Sequence, residues 1–495
     1  MHDAAELDHR YVWHPFTQMR EWLQREPIVI VEGKGAVLRD SRGREYLDAN
    51  SSIWTNLHGH NNQRINAAIR RQLNKVAHSS ALGLANEPAS YLAELLVQIA
   101  NGPGNKANAV AGSRSRRRSP ALPRLEKVFF SDDGSTAMEV ALKLAFEYSR
   151  RSKGLKKPKF LSLKGAYHGD TVGAVALGHI DLFHKAYQPL LFKTDSVAAP
   201  YCYRCPWNRA KPQRADAREY RRCDLECLGQ IEKRFEGQRR RGNSYAAFAF
   251  EPLVQGAAGI IAQPPGWLRG VAEIARGHGT LLIADEVLTG LGRAGTTPAK
   301  VKSHAIKEMP LLACHQEEVR PDFVALAKGL SGGYLPMAAT LTTQRVFDAF
   351  LGDYSEFKTF FHGHSYTGNQ LGSAAALASL EIVQSRASFD ARQELQRTLQ
   401  KELQRLWVHP NVGDIRQVGL IAGIELVKNR QTREPFDLRE KIGMRICEAM
   451  ARHGVLTRPI GNVIVLIPPY CTTERQAKMM IEGLNLAISD VFRRR

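Results

Sequence analysis

No stretch of the 495 residues approaches the roughly 20 consecutive apolar residues that a helix needs to cross a bilayer. Nothing near the start pairs a basic segment with an apolar run, so neither secretion nor membrane insertion is expected and a cytoplasmic location is. Cysteine is scarce. Seven in so long a chain are too few for a disulfide scaffold, their odd number leaves at least one thiol free, and a reducing compartment fits best. Acidic residues are also short, 49 Asp and Glu against 69 Lys and Arg, for a formal charge of +20. The excess is localised. Residues 101–125 and 201–243 carry +6 each, the first without any acid. No recognition helix, RNA-binding signature or zinc-finger pattern turns that charge into sequence readout, so the expectation is two solvated basic insertions and no nucleic-acid partner.

What is present is an ordinary globular composition, 43% hydrophobic and 24% charged, enough for one large domain and a smaller one. Short apolar runs alternate with helical patterns: Val128–Phe130, Phe160–Leu163, Ala246–Phe250, Leu281–Ala284 and Phe323–Ala327. That alternation predicts an α/β fold, a mostly parallel sheet with helices on both faces. The Lys-rich stretch between Thr296 and Arg320 reads as a further insertion, placed near 297–313. From about Ala374 a long helical pattern, with short strands such as Leu420–Leu426 and Val463–Ile467, predicts a separate α+β domain. The division expected is an N-terminal segment 1–55, a large domain 56–373 and a small domain 374–495.

Four motifs fall where such a sheet binds ligands, beyond the carboxyl ends of its strands. Lys328 follows an apolar strand and opens the glycine-rich turn Lys328-Gly-Leu-Ser-Gly-Gly-Tyr334, where a bulky group can approach. A lysine at a strand end is commonly just a surface charge. Asp285 follows Leu281–Ala284 and is placed either to protonate a heterocyclic nitrogen or merely to cap the next element. Gly134-Ser135-Thr136 opens a helix after a strand, so backbone N–H groups, hydroxyls and the helix dipole converge where a phosphate can bind, although plain helix capping explains the same residues. Tyr167-His168-Gly169-Asp170 offers a ring for stacking. Together a lysine, a carboxylate, a phosphate cradle and a stacking ring are what an enzyme must supply to use pyridoxal 5'-phosphate as an electron sink.

The series Gly134-Ser135, Tyr167-His168-Gly169, Glu251-Pro252, Asp285-Glu286-Val287 with Gly292-Arg293, then Lys328-Gly329-Leu330 resembles the class III aminotransferases of fold type I, from about residue 14 to the end. The resemblance implies that Lys328 bears the cofactor and moves the proton, that Asp285 pairs with the ring nitrogen, that Gly134 and Ser135 hold the phosphate and that Tyr167 stacks on the ring. His168 and Glu251 would complete the cofactor site. The family's homodimer shares its active sites, so His364 and Ser365 of one subunit would reach the phosphate of the other. Gly363 would line the substrate pocket, and Arg458 would grip the carboxylate of an oxo acid through its planar fork.

Within the family, Trp13-His14-Pro15-Phe16-Thr17-Gln18-Met19, Arg458-Pro459 and Pro468-Pro469-Tyr470 are similar to the branch that aminates 8-amino-7-oxononanoate in biotin synthesis. That branch implies small-molecule substrates, with S-adenosylmethionine as amino donor and lysine as the alternative. Two substrate-pocket positions depart from its pattern: Phe16 stands where tyrosine is common, and Ile53-Trp54 where two tryptophans are. Another class III enzyme acting on ω-amino acids or diamines is the close rival. A basic nucleic-acid-binding protein on an inactive scaffold is the rival from another class, and retention of Lys328 and Asp285 speaks against it. Separately, Cys202-x2-Cys205 and Cys223-x3-Cys227 have zinc-ribbon spacing, which predicts a structural zinc unless the thiols serve as small hydrophobes.

Overall fold

The computed structural model describes residues 3–102, 122–295 and 310–493. Most of the insertions expected at 101–125 and 297–313 lies outside the described residues.

The centre is a seven-stranded sheet in the order Leu125–Ser131, Ala338–Thr343, Phe323–Leu326, Leu281–Asp285, Tyr245–Phe250, Lys159–Leu163, Asp195–Val197. Ala338–Thr343 runs antiparallel to both neighbours, and the other pairings are parallel. Strands buried on both faces read as continuous apolar runs, and here their residues alternate between two cores. Leu161, Phe248, Leu282, Ala284 and Val324 enter the larger one. Phe160, Ala247, Ala249, Leu281, Ile283 and Ala325 enter the other, beneath the helix Gly134–Lys153. Alanine dominates that second face of the sheet and meets Ala137, Ala141 and Ala145 of the helix, so small side chains let the helix lie close. The expected α/β architecture is observed, with the antiparallel strand as its one irregularity.

Three smaller sheets surround this one. Beyond the helices Gln370–Val383 and Arg386–Leu403, Val412–Val418, Ile421–Asn429 and Val463–Leu466 pair antiparallel, with Pro459–Ile460 along the edge. Near the other end of the chain, Ile30–Lys34, Val37–Asp40 and Glu45–Asp48 form a meander, which Val455–Leu456 extends by pairing parallel with Leu47 and Asp48.

The basic segment 201–243 is solvated in part: Arg209, Arg214, Arg222, Arg239, Arg240 and Arg241 are exposed. Cys202, Tyr203 and Ala217 are buried, and Arg204 and Arg218 reach the C-terminal sheet. Arg204 Nε donates to Glu425 Oε1 at 2.6 Å, and Arg218 Nη2 donates to the Gln417 carbonyl at 2.7 Å. Glu425 also takes Arg416 Nη1 at 2.7 Å and the Tyr201 hydroxyl. Arg416 reaches Asp414 at 2.9 Å as well, and burial pushes the Asp414 carboxyl up to about 7 against that neighbour's charge. A charge count cannot see this arrangement, because it registers the cations of the segment and not the carboxylates that meet them from residues two hundred positions away.

The zinc expectation also needs correcting. All four cysteines are free, and among the described residues no group of three or more His, Cys, Asp or Glu converges on a metal position. Cys227 packs in the main core, while Cys202 packs with Tyr203 and Ala217 in a separate cluster. Burial pushes the Cys202 thiol up to about 12 and the Cys227 thiol to about 11.

Candidate active site

Five parallel strands deliver polar residues to one edge of the central sheet. Phe323–Leu326 leads through Ala327 to Lys328, Leu281–Asp285 ends on its acid, and Tyr245–Phe250 hands over to Glu251. Lys159–Leu163 precedes Tyr167-His168, and Leu125–Ser131 precedes Asp132-Asp133 and the helix beginning at Gly134. A cavity of 440 Å³ opens there, lined by Lys328, Asp285, His168, Tyr167, Glu251, Gly134, Ser135 and Trp54 among others.

The charges inside are ordered. His168 Nδ1 donates to Asp285 Oδ2 at 2.8 Å, both groups buried, and the Val287 N–H donates to Asp285 Oδ1 at 3.1 Å. Asp285 thus pairs with His168 through one oxygen and caps the turn that follows through the other. Burial opposes a charge on His168, but the Asp285 hydrogen bond and the carboxylates of Asp285 and Glu251 outweigh it and raise its pKa. Glu251 accepts from the Gly256 N–H at 2.7 Å and the Tyr167 N–H at 3.3 Å, and burial pushes its carboxyl up to about 7. Burial lowers the pKa of Lys328, which favours the free amine, against the pull of Asp285 and Glu251. The lysine backbone has φ of 25°, a strained value for a residue with a side chain.

At the helix start, Asp133 Oδ1 accepts from the Thr136 N–H at 2.9 Å and Thr136 Oγ1 accepts from the Asp133 N–H at 2.9 Å, a complete capping box. The capping reading thus holds for Asp133 and Thr136, while Gly134 and Ser135 face the cavity. Ser135 Oγ accepts from the Asp170 N–H at 3.1 Å. Bare glycines make the approach possible: a Cβ on Gly169, whose φ is 116°, would stand 2.0 Å from Ser135 Oγ. The Tyr167 ring stacks on His184, with centroids 6.2 Å apart, and its hydroxyl donates to Asp170 at 2.6 Å.

Other sequence-predicted residues lie apart from this cavity. Ile53 is largely exposed, as are Gly363, Ser365 and Arg458. His364 Nδ1 lies 3.0 Å from Asp132 Oδ2 of the same chain, and the Ser365 carbonyl pairs with His78 Nε2 at 2.9 Å. Arg458 Nη2 donates to the Phe16 carbonyl at 3.4 Å. From Phe16 an aromatic path runs back to the cavity through Phe183, 5.3 Å from the Phe16 ring and 6.4 Å from Tyr167.

Sequence reasoning missed Leu335, Pro336, Met337 and Leu288, and gave no site role to Val287, Gly333 or Tyr334, all of which line the cavity. It also missed the backbone around Trp54. Ser51, Ser52, Ile53 and Trp54 have φ of 46°, 47°, 62° and 70°, one turn of left-handed helix. Such a turn costs roughly 1–2 kcal/mol per residue for L-amino acids. The only hint in the sequence is the polar run Asp48-Ala-Asn-Ser-Ser52: Asp48 Oδ1 accepts from the Ser52 N–H at 3.0 Å, and Trp54 Nε1 donates to Asn50 Oδ1 at 2.7 Å. The turn carries the indole to 5.4 Å from Lys328 Nζ, measured to the ring centroid.

A buried carboxylate–imidazole pair, a lysine with a depressed pKa and a glycine-lined helix start in one cavity fit a phosphorylated pyridine aldehyde. Comparison with known proteins agrees. The model of the family "Aminotransferase class-III" matches residues 19–488. A Geobacter sulfurreducens protein named adenosylmethionine-8-amino-7-oxononanoate aminotransferase is 45% identical, over 98% of this chain and 97% of its own. The crystal structure of the Methanocaldococcus jannaschii protein of that name matches with a TM-score of 0.84 at 38% identity, covering 98% of each chain. An omega transaminase from Pseudomonas jessenii in complex with PMP matches with a TM-score of 0.84 at 26% identity, covering 99% of each chain. The chain belongs to the class III aminotransferases, which are pyridoxal-phosphate-dependent enzymes.

Proposed function

We propose that this aminotransferase converts 8-amino-7-oxononanoate to 7,8-diaminononanoate in biotin synthesis, with S-adenosylmethionine as amino donor. The observation that carries the catalytic reading is the single cavity joining Lys328, the Asp285–His168 pair and the Gly134–Ser135 turn. The choice of substrate rests on relatives of that name at 40–45% identity over nearly the whole chain.

Bound pyridoxal 5'-phosphate supplies an electron sink for charge that develops on the amino-bearing carbon. Asp285, oriented by His168, sets a carboxylate against the pyridine nitrogen and favours its protonated form. Lys328 would hold the cofactor through its amine, and once a substrate amine displaced it, that freed amine would be placed to move the proton between the two carbons. Gly134, Ser135 and the first N–H groups of the helix receive the phosphate. Trp54 and Tyr167 cover the flat faces of the reacting groups. Arg458 takes the acceptor's carboxylate, with Phe16 and Phe183 flanking the methylene chain that leads to it.

Two chains would share their sites, the exposed Gly363–Ser365 segment of each meeting the other's phosphate cradle, and the enzyme would work in the cytoplasm. Lysine is the alternative donor: Phe16 lacks a hydroxyl worth about 0.5–1.5 kcal/mol of hydrogen bonding, which weakens a contact to S-adenosylmethionine without excluding it.

Loss of the cofactor absorbance on adding each donor separately, followed by its return on adding 8-amino-7-oxononanoate, tests the proposal. S-adenosylmethionine should bleach the band and lysine should not. The reverse pattern replaces the donor, and no recovery with the oxo acid removes the substrate. A single-chain mass in solution removes the shared site.

A further inference from the structure

Arg293 is 1% exposed, and its partners are neutral. Nη1 donates to Ser51 Oγ at 3.3 Å and to the Pro468 carbonyl at 2.9 Å. Nη2 donates to the carbonyls of Trp54 and Asn56, each at 3.3 Å. The Tyr470 ring lies 5.1 Å from its guanidinium carbon. Burial lowers the pKa of Arg293, the mark of a cation held where hydration is lost. A hydrophobic side chain of similar volume would fill such a position at smaller cost, so what the arginine contributes is a planar set of donors.

Those donors converge on one object. Ser51, Trp54 and Asn56 are the start, end and exit of the left-handed turn, and Ser51 Oγ itself donates to the Ile467 carbonyl at 2.6 Å. The two carbonyls taken by Nη2 would otherwise lie buried beside a turn whose φ values oppose ordinary side chains. At the far side of the same turn, the Trp54 ring lies within contact range of Gly256, where an added Cβ would stand 3.2 Å away. The indole is thus fixed between a glycine and Lys328 by a backbone that does not favour its own conformation.

We infer that Arg293 is a positioning residue for Trp54, holding the left-handed turn that keeps the indole over Lys328. It touches no reacting atom and acts through the turn. The inference rests on the reading of Lys328 as the cofactor-bearing lysine.

The test uses the full chain with Arg293→Lys, whose single ammonium cannot reach all four acceptors. Arg293→Gln serves as a second, uncharged variant should the first fail to fold. Pyridoxal phosphate content should stay at the wild-type level, because the phosphate cradle lies on other elements. The value of kcat/KM should fall roughly tenfold or more, the equivalent of about one buried hydrogen bond. Without cofactor or substrate, the amides of Trp54, Thr55 and Asn56, which bond to the carbonyls of Asn50 and Ser51, should exchange hydrogen faster than in the wild type. Ile53→Gly added to Arg293→Lys should recover roughly threefold or more, since glycine enters the left-handed region freely. Unchanged exchange at residues 54–56, or no recovery by Ile53→Gly, overturns the inference. Exchange is read without turnover, so an enzyme that proves inactive on 8-amino-7-oxononanoate overturns the functional proposal and leaves this test standing.

Discussion

Replacing Asp285 by asparagine isolates the one charge that the proposed chemistry most needs. The amide has the shape of the carboxylate and can still accept from the Val287 N–H, now 3.1 Å from Oδ1. The fold around it should survive. What disappears is a full negative charge in a buried pocket, opposite the imidazole 2.8 Å away, the charge proposed to meet the cofactor's ring nitrogen. Losing one preorganised electrostatic contact of this kind costs about 2.7–4 kcal/mol in the transition state, or roughly a hundred- to a thousandfold in kcat. His168 should change with it, because its raised pKa depends on Asp285, and the imidazole should become neutral at lower pH. Single-turnover amino transfer from the donor, followed by absorbance at matched cofactor occupancy, measures the first effect. Imidazole NMR signals that move between wild type and variant measure the second. A loss below tenfold with full cofactor occupancy would refute the role given to Asp285, whatever else the variant did.

Lys328→Ala should abolish turnover and the borohydride-reducible link to the cofactor, and turnover near the wild-type rate would remove the lysine from its role. Glu251 has its carboxyl raised to about 7 in the folded chain, so its contribution to stability is complete below about pH 4.3 and is lost as pH rises toward neutrality. Glu251→Gln should therefore flatten that part of the stability–pH curve, measured by denaturant midpoints, and an unchanged slope would contradict the burial argument. Glu425→Gln breaks the buried network that receives Arg204 and Arg416. Stranding those cations should cost about 3–5 kcal/mol, read as a lower unfolding midpoint, and a loss under ~1 kcal/mol would show the network to be dispensable.

The parts legible in the sequence were those governed by local rules. Apolar runs ending in a single polar residue, as at Leu281–Asp285 and Phe323–Lys328, announced both the sheet and the edge where its chemistry sits. The complementary halves of long-range pairs stayed hidden. Arg204 and Arg218 were indistinguishable from their solvated neighbours because Glu425 and Gln417, which they meet, lie about two hundred residues downstream, beyond the reach of any local pattern. The cysteine spacing suggested zinc because spacing does not report which core each thiol faces. The left-handed turn was illegible for a different reason. Isoleucine and tryptophan are poor residues for positive φ, and two of the turn's partners are remote in sequence: Arg293, which donates to the Trp54 carbonyl, and the Ile467 carbonyl, which accepts from Ser51 Oγ.

The parallel pairing of Val455–Leu456 with Leu47–Asp48 has a consequence for how the protein is made. Residues 45–48 leave the ribosome early, yet their sheet partner is synthesised some four hundred residues later, when about nine-tenths of the chain is already out. The Ala49 N–H waits for the Leu456 carbonyl and its own carbonyl for the Ile467 N–H, and the turn that follows it waits for the Pro468 carbonyl through Arg293. Closing so long a loop is slow, and the exposed edge is a hazard to the nascent chain in the interval. The turn bearing Trp54 is thereby tied late, since its Ser51 hydroxyl donates to the Ile467 carbonyl, 416 residues downstream.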